Sequence, residues 1–108
     1  MRNVQKVISG LCLMFVGGAV YAADASTAGN AHYVTCVACH GDNAQGDRAM
    51  GAPRLNHLQA VYIDAQLRKF RSGLRGGEGA TDAAKQMAAM AAVLPDEQAI
   101  ADVSAYIA

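Results

Sequence analysis

Two cysteines and a histidine stand close together in residues 35–41, which read TCVACHG. Two residues separate Cys36 from Cys39, and His40 follows the second cysteine directly. Three chemistries use part of this arrangement: a zinc site, a redox-active dithiol, and covalent haem attachment at a C-x-x-C-H sequence. The rest of the chain has to discriminate among them.

The haem chemistry agrees best with the surrounding sequence. A structural zinc site needs four ligands, but the chain has no second C-x-x-C pair, and His32 and His57 are its only other histidines. A redox-active pair normally accompanies a βαβ pattern, and no segment alternates convincingly as a strand. C-x-x-C-H is the spacing used for haem: two thiols on about one helical turn reach two vinyl groups, and His40 Nε2 can bind the iron. Zinc and dithiol chemistry remain as alternatives.

Residues 1–23 have the composition of a secretory signal peptide. Basic residues open the chain, residues 7–20 form an apolar run, and small residues follow it. The run is shorter than the roughly 20 residues that cross a membrane, which favours a cleaved leader over an uncleaved N-terminal anchor. We expect cleavage near residues 22–25 and a mature domain over residues 24–108.

Removal of this leader leaves a slightly acidic domain, with seven basic and nine acidic residues. No basic stripe indicates nucleic-acid binding. Cys12 would leave with the leader, so Cys36 and Cys39 are the thiols that reach an oxidising compartment, where a disulfide is the default expectation. A domain of this size without tryptophan builds a small core and usually needs a metal, disulfide or cofactor. A large apolar cofactor would meet that need.

The pattern of the mature chain predicts an all-α domain, with three to four short helices and long loops between them. A first helix is expected over residues 26–37, with Ser26 or Thr27 as its cap. Glycine and proline make residues 39–56 irregular.

Two later helices have apolar faces, and the segment between them is ambiguous. The helix expected over residues 58–72 ends at Gly73 and has apolar residues at helical spacing: Ile63, Leu67, Phe70 and Leu74. Residues 83–94 are alanine-rich and suit a helical turn or an extended crossing. The last helix is expected from about Pro95 onward, and its buried face comprises Ile100, Val103 and Ile107.

The mature chain resembles a class I cytochrome c, most of all the single-haem bacterial cytochrome c553 and one domain of cytochrome c4. The resemblance covers residues 28–108 and rests on CVACHGDNAQGDRAMGAPRL, YIDAQLRKFRSGLR and MAAMAAVLPDEQAIADVSAYIA. It implies a class I cytochrome c fold wrapped around one covalently bound haem c. Cys36 and Cys39 would attach this haem, and His40 would be an axial ligand of its iron. Cytochrome c4 has two such domains, whereas one motif here indicates the single-haem form.

The resemblance also implies a second axial ligand, usually a methionine sulfur, which favours reduced iron. Similar sequences place this methionine shortly before the last helix. Met87 is therefore the expected ligand, Met90 the second choice and Met50 the third. The alternative role for Met90 and Met50 is to line the pocket, because methionine fills irregular apolar gaps.

Three further residues would support the iron site if the resemblance holds. The carbonyl of Pro53 would accept a hydrogen bond from His40 and fix its ring; the alternative is a plain turn proline. Arg71 or Arg75 would approach a haem propionate; the alternative is a solvated surface arginine.

The resemblance extends to the contact between the first and last helices. Gly29 and Tyr33 would meet Tyr106 where these helices cross. Related chains commonly have serine as the cap of the last helix, where this chain has Pro95. Proline cannot accept the capping bond, so Asp96 is the expected substitute.

Iron held by both His40 and Met87 is closed to substrate, which suits electron transfer. We expect a periplasmic one-electron carrier of a respiratory chain and not an enzyme. Its partners would be redox proteins: a membrane respiratory complex, an oxidase or reductase, or a dehydrogenase. The carrier would be soluble after leader removal, and monomeric. Two alternatives are a cytochrome subunit of a periplasmic dehydrogenase complex, and a haem enzyme or ligand sensor with an open distal site.

Overall fold

The structure, a computed structural model, describes residues 25–108. Five helices follow in order: α1 Ala25–Tyr33, α2 Val37–His40, α3 Ala60–Ser72, α4 Asp82–Ala91 and α5 Glu97–Ile107. In this range the only β-type pairing is an isolated bridge between Asp47 and Ala52. The expected all-α fold is confirmed. The signal peptide expected over residues 1–23 lies outside the described residues.

Within residues 25–108, no helix combines the length and the apolar character that a membrane crossing requires.

The first predicted helix is divided into two by a turn. We expected one helix through Val37, but α1 ends at Tyr33 and α2 is a single turn that begins at Val37. Thr35 Oγ1 donates to the carbonyl of His32 at 3.2 Å, and such local bonds compete with helix propagation. The result is four helices of nine or more residues plus one short turn of helix that bears the cysteine motif.

Helix α3 ends where the sequence indicates but starts two residues late. It begins at Ala60, and its C-cap Gly73 has the left-handed φ of 79° that glycine tolerates. The predicted inward face is confirmed for its three buried members, Ile63, Leu67 and Phe70. Leu74 was wrongly included: it follows the helix end, so its side chain leaves the helical register and is 82% exposed.

The alanine-rich segment forms the helix α4 and not an extended crossing. Thr81 caps it, with Oγ1 accepting from the amide of Ala84 at 3.2 Å. A Cβ added at Gly76 would collide with the carbonyl oxygen of Ala84 and lie 2.9 Å from Cβ of Ala88. The preceding loop therefore packs directly on α4 and sets the position of the methionines that this helix carries.

Helices α1 and α5 cross at very close range. A Cβ at Gly29 would collide with the carbonyl oxygen of Asp102 and lie 2.6 Å from Cβ of Tyr106. The rings of Tyr33 and Tyr106 pack beside this crossing, with centroids 5.5 Å apart and planes tilted by 49°, a favourable aromatic geometry. The predicted meeting of these residues is confirmed.

Residues of α1, α3, α4 and α5 and of the connecting segments form one core. The predicted inward face of α5 is confirmed, since all three of its named residues are buried. The buried apolar residues are Tyr33, Ala44, Ile63, Leu67, Phe70, Ala91, Leu94, Ala99, Ile100, Val103 and Ile107. At the surface, Arg68 pairs with Asp64 of the same helix at 2.6 Å and with Glu97, which links α3 to α5.

Helix α5 begins at Glu97, two residues after the expected start near Pro95. Asp96 is its N-cap, as expected. The side chain of Asp96 accepts from the amide of Ala99 at 2.8 Å. We expect Asp96→Ala to lower the free energy of unfolding by about 1 kcal/mol, the usual contribution of such a cap. Urea unfolding of the mature protein measures this, with Asp96→Asn as the control that keeps a capping oxygen. Equal midpoints for the alanine variant and the wild type would contradict a capping role.

Candidate functional site

Cys36, Cys39 and His40 occupy one turn of helix. Cys36 is the N-cap of α2, and the other two are its last residues. The amide of His40 donates to the carbonyl of Cys36 at 2.9 Å, which is the helical bond that sets their spacing. Both cysteines are half-buried, and no disulfide joins them.

Burial raises the pKa of the Cys36 thiol above its usual range; the hydrogen bond with Thr35 opposes this effect and the proximity of Cys39 adds to it. A raised pKa keeps the sulfur protonated at neutral pH. The attacking cysteine of a redox-active dithiol has a lowered pKa instead. Cys36 therefore does not have the environment of an attacking thiol.

The ring of His40 is buried and held in a defined orientation. Only 7% of the residue is exposed, and Nδ1 lies 2.9 Å from the carbonyl oxygen of Pro53. Because a carbonyl oxygen can only accept, Nδ1 carries the proton and donates it, and Nε2 of the neutral ring keeps a free lone pair. Metal-binding histidines are oriented by such a bond from their second nitrogen.

The loop after α2 folds back so that Pro53 reaches His40. The carbonyl of His40 accepts from the amide of Gly46 at 2.8 Å, and Asp47 and Ala52 exchange two backbone bonds of 2.9 Å each. Gly46 has a φ of 80°, and a Cβ there would lie 2.6 Å from the amide nitrogen of Arg54. Glycine is therefore required at the point where the two arms of the loop approach each other.

The three candidate methionines differ in burial. Met87, on α4, is half-buried and packs against the core, as do Cys36 and Val37 at the start of α2. Met90 is 37% exposed and Met50 is 54% exposed. Packing thus favours Met87 as the sulfur nearest the protein interior, and its role as a ligand stays a prediction.

The two candidate arginines lie at the end of α3 and just beyond it. Arg75 places its guanidinium carbon 4.5 Å from the ring centroid of Phe70 and donates to Gln66 Oε1 at 2.8 Å. Arg71 is exposed. The structure gives Arg75 contacts with α3, and contact of either arginine with a propionate stays a prediction.

One hydrogen bond next to the site could not be predicted from the spacing of residues in the sequence. The hydroxyl of Tyr33 donates to the carbonyl of Gly41 at 2.7 Å, directly after His40. The available signal was chemical: a buried tyrosine hydroxyl usually has a hydrogen-bond partner. The resemblance assigned this residue only to the helix crossing.

The donors brought together here suit covalent haem better than zinc. Among residues 25–108 there is no group of three or more His, Cys, Asp or Glu side chains placed to hold a metal ion. Four zinc ligands are therefore not assembled in that part of the chain. Two thiols on one helical turn, with an oriented imidazole beside them, match the donor set that haem c requires.

Comparison with known proteins agrees with this chemistry. The family model "Cytochrome c" matches residues 26–108. Cytochrome c-554(548) of Halomonas halodenitrificans is 41% identical over 81 residues, which are 75% of this chain and 90% of that protein.

Two longer relatives match with similar identity. The thiosulfate dehydrogenase electron acceptor of Stutzerimonas stutzeri is 33% identical over 103 residues, 91% of this chain and 44% of the relative. Cytochrome c4 of Pseudomonas aeruginosa is 38% identical over 72 residues, 67% of this chain and 34% of the relative. The chain thus spans less than half the length of these two relatives. No solved structure gives a significant match.

The family match covers all but the first of the described residues, and the fold and the donor set agree with it. The chain belongs to the cytochrome c family and is an electron carrier with covalently attached haem c.

Proposed function

We propose that this protein is a periplasmic one-electron carrier in which Cys36 and Cys39 attach the haem and His40 and Met87 are its axial ligands. The hydrogen bond from His40 Nδ1 to the carbonyl of Pro53, 2.9 Å long, carries the proposal. It holds a buried imidazole with Nε2 available to a metal. The haem, when bound, supplies the one-electron couple.

The protein side chains favour electron transfer over bond-making chemistry. If the His40 imidazole and the Met87 thioether both held the iron, they would leave no open coordination site for a substrate. His40 is buried, and Met87 is half-buried and packs against the core, so surrounding protein restrains both side chains. Both ligands can then stay in place in both oxidation states, which favours rapid exchange of electrons with a partner protein. We therefore do not assign an enzymatic activity.

The proposed partners are redox proteins, and a dehydrogenase is the favoured donor. The relatives from Stutzerimonas stutzeri and Thiomonas intermedia, the latter 36% identical over 90 residues, are both named thiosulfate dehydrogenase electron acceptors. This chain covers 44% and 42% of their lengths, so we carry over the acceptance of electrons and not the substrate of the dehydrogenase. A membrane respiratory complex, oxidase or reductase would receive the electrons.

An optical spectrum combined with mass spectrometry tests the haem attachment. We expect the mature protein to be red, to show sharp absorption bands on reduction, and to keep its pigment in acid acetone. Its mass should equal residues from about 24 to 108 plus one haem, which also tests the leader. Cys36→Ser/Cys39→Ser should release the pigment into acid acetone. A colourless native product with the mass of the polypeptide alone would contradict the proposal.

Carbon monoxide separates the carrier from a haem enzyme or ligand sensor. With both axial positions filled by side chains, the reduced protein at neutral pH should leave its spectrum unchanged when carbon monoxide is added. Rapid binding would instead favour an open distal site. Copurification with a larger catalytic protein would favour the dehydrogenase-subunit alternative over a free shuttle.

A further inference from the structure

The hydroxyl of Tyr33 has a contact that ring packing does not require. Tyr33 is the last residue of α1 and is 2% exposed, with its ring against Tyr106. A phenylalanine ring would pack there equally well. The hydroxyl nevertheless donates to the carbonyl of Gly41 at 2.7 Å. Burial raises the pKa of Tyr33, so the hydroxyl keeps its proton and remains a donor.

The carbonyl of Gly41 is the first member of a series of hydrogen bonds. It also accepts from the amide of Ala44 at 3.1 Å, and the carbonyl of Ala44 accepts from the amide of Leu55 at 2.8 Å. Leu55 lies two residues after Pro53, whose carbonyl holds the ring of His40. The series therefore joins the end of α1 to the backbone segment that orients the histidine.

Ala44, in the middle of this series, has an unfavourable backbone conformation. Its φ is 52°, the left-handed region that is costly for residues other than glycine, and it is buried. Such a conformation persists only where its surroundings hold it. The hydrogen bonds of the Ala44 amide and the Ala44 carbonyl hold this conformation. The Tyr33 hydroxyl restrains the Gly41 carbonyl, which accepts from the Ala44 amide.

We propose that the Tyr33 hydroxyl is a positioning group for His40. It would act on the orientation of the His40 ring through Gly41, Ala44 and the loop that carries Pro53. The inference rests on the proposed function, in which His40 is an axial ligand. A weaker bond from Nδ1 to Pro53 makes Nε2 less basic, and a less basic ligand stabilises oxidised iron less. Loss of the hydroxyl should therefore raise the reduction potential.

Tyr33→Phe in the mature, haem-loaded protein tests this inference, with Tyr106→Phe as the matched control. Both variants keep an aromatic pair, but only the first removes a donor from Gly41. We expect Tyr33→Phe to retain covalent haem and to raise the reduction potential. It should also shift the ring N–H proton signal of His40 in NMR spectra of the reduced protein. Exchange of the Ala44 and Leu55 amides should be roughly three- to tenfold faster, as loss of one hydrogen bond implies.

The control decides between positioning and general packing. Tyr106→Phe should leave the potential, the His40 signal and both amides unchanged. If Tyr33→Phe matches the wild type in all three, or if both variants change alike, the inference is overturned. These results differ from a failure of the proposed function, in which the wild type itself would carry no haem or would bind carbon monoxide.

Discussion

Replacing Met87 with leucine is expected to leave covalent haem in place, to lower the reduction potential strongly, and to let the reduced protein bind carbon monoxide. Leucine conserves volume, which limits the loss of packing, but it lacks the sulfur that favours reduced iron. Axial ligands shift haem potentials over a range of roughly 0.8 V, so Met87, as the proposed ligand, would set a large share of the potential. Redox titration and carbon monoxide spectra measure the two effects.

Met90→Leu is the matched control for this result. Met90 lies one helical turn after Met87 on the same helix, but it is 37% exposed while Met87 packs on the core. The Met90 variant should keep the wild-type potential and should not bind carbon monoxide. The opposite outcome, with loss of methionine ligation only in Met90→Leu, would assign the ligand to Met90. Unchanged spectra in both variants would exclude a methionine ligand on α4.

Replacing Gly29 with alanine is expected to destabilise the whole domain by about 3 kcal/mol, at the upper end of the range for overpacking. The added methyl would meet the carbonyl oxygen of Asp102 and Cβ of Tyr106, and neither a backbone oxygen nor a Cβ can rotate away. The better helix propensity of alanine offers only about 1 kcal/mol in compensation. A loss of about 3 kcal/mol is large against the total stability of roughly 5–15 kcal/mol typical of proteins.

Thermal unfolding of the haem-loaded protein measures the effect of Gly29→Ala. A domain of this size loses roughly 4–8 °C in Tm per kcal/mol, so a drop of more than about 10 °C is expected. Asn30→Ala, at the exposed neighbouring position of α1, is the control and should leave Tm near the wild-type value. A Gly29→Ala variant as stable as the control would show that α1 and α5 can separate without cost.

The helices and their inward faces follow from local patterns. Ile63, Leu67 and Phe70 recur at helical spacing, and each of them is buried in α3. A periodic pattern predicts a face because the helix repeat itself determines which side chains share a side. The pattern fails where the helix ends: Leu74 continues the spacing, but Gly73 turns the chain and leaves Leu74 in solvent.

Helix boundaries within the motif region depended on contacts that spacing does not show. The turn after Tyr33 separates α1 from α2, although residues 26–37 look continuous as one helix. The side chain of Thr35 bonds to the backbone of His32 in that turn. Such local side-chain bonds compete with the helix for backbone groups, and sequence periodicity does not show them.

The sequence alone predicts the haem-binding chemistry, because Cys36, Cys39 and His40 are neighbours in the chain and one helical turn suffices to bring them together. Tertiary structure alone decided how that chemistry is supported. The bond from His40 to Pro53 spans 13 residues, and that from Tyr33 to Gly41 spans eight. The first depends on the path of the irregular loop after α2, and the second on the turn between α1 and α2. Neither segment has a periodic sequence pattern, and packing and hydrogen bonds of the folded domain determine the path of each.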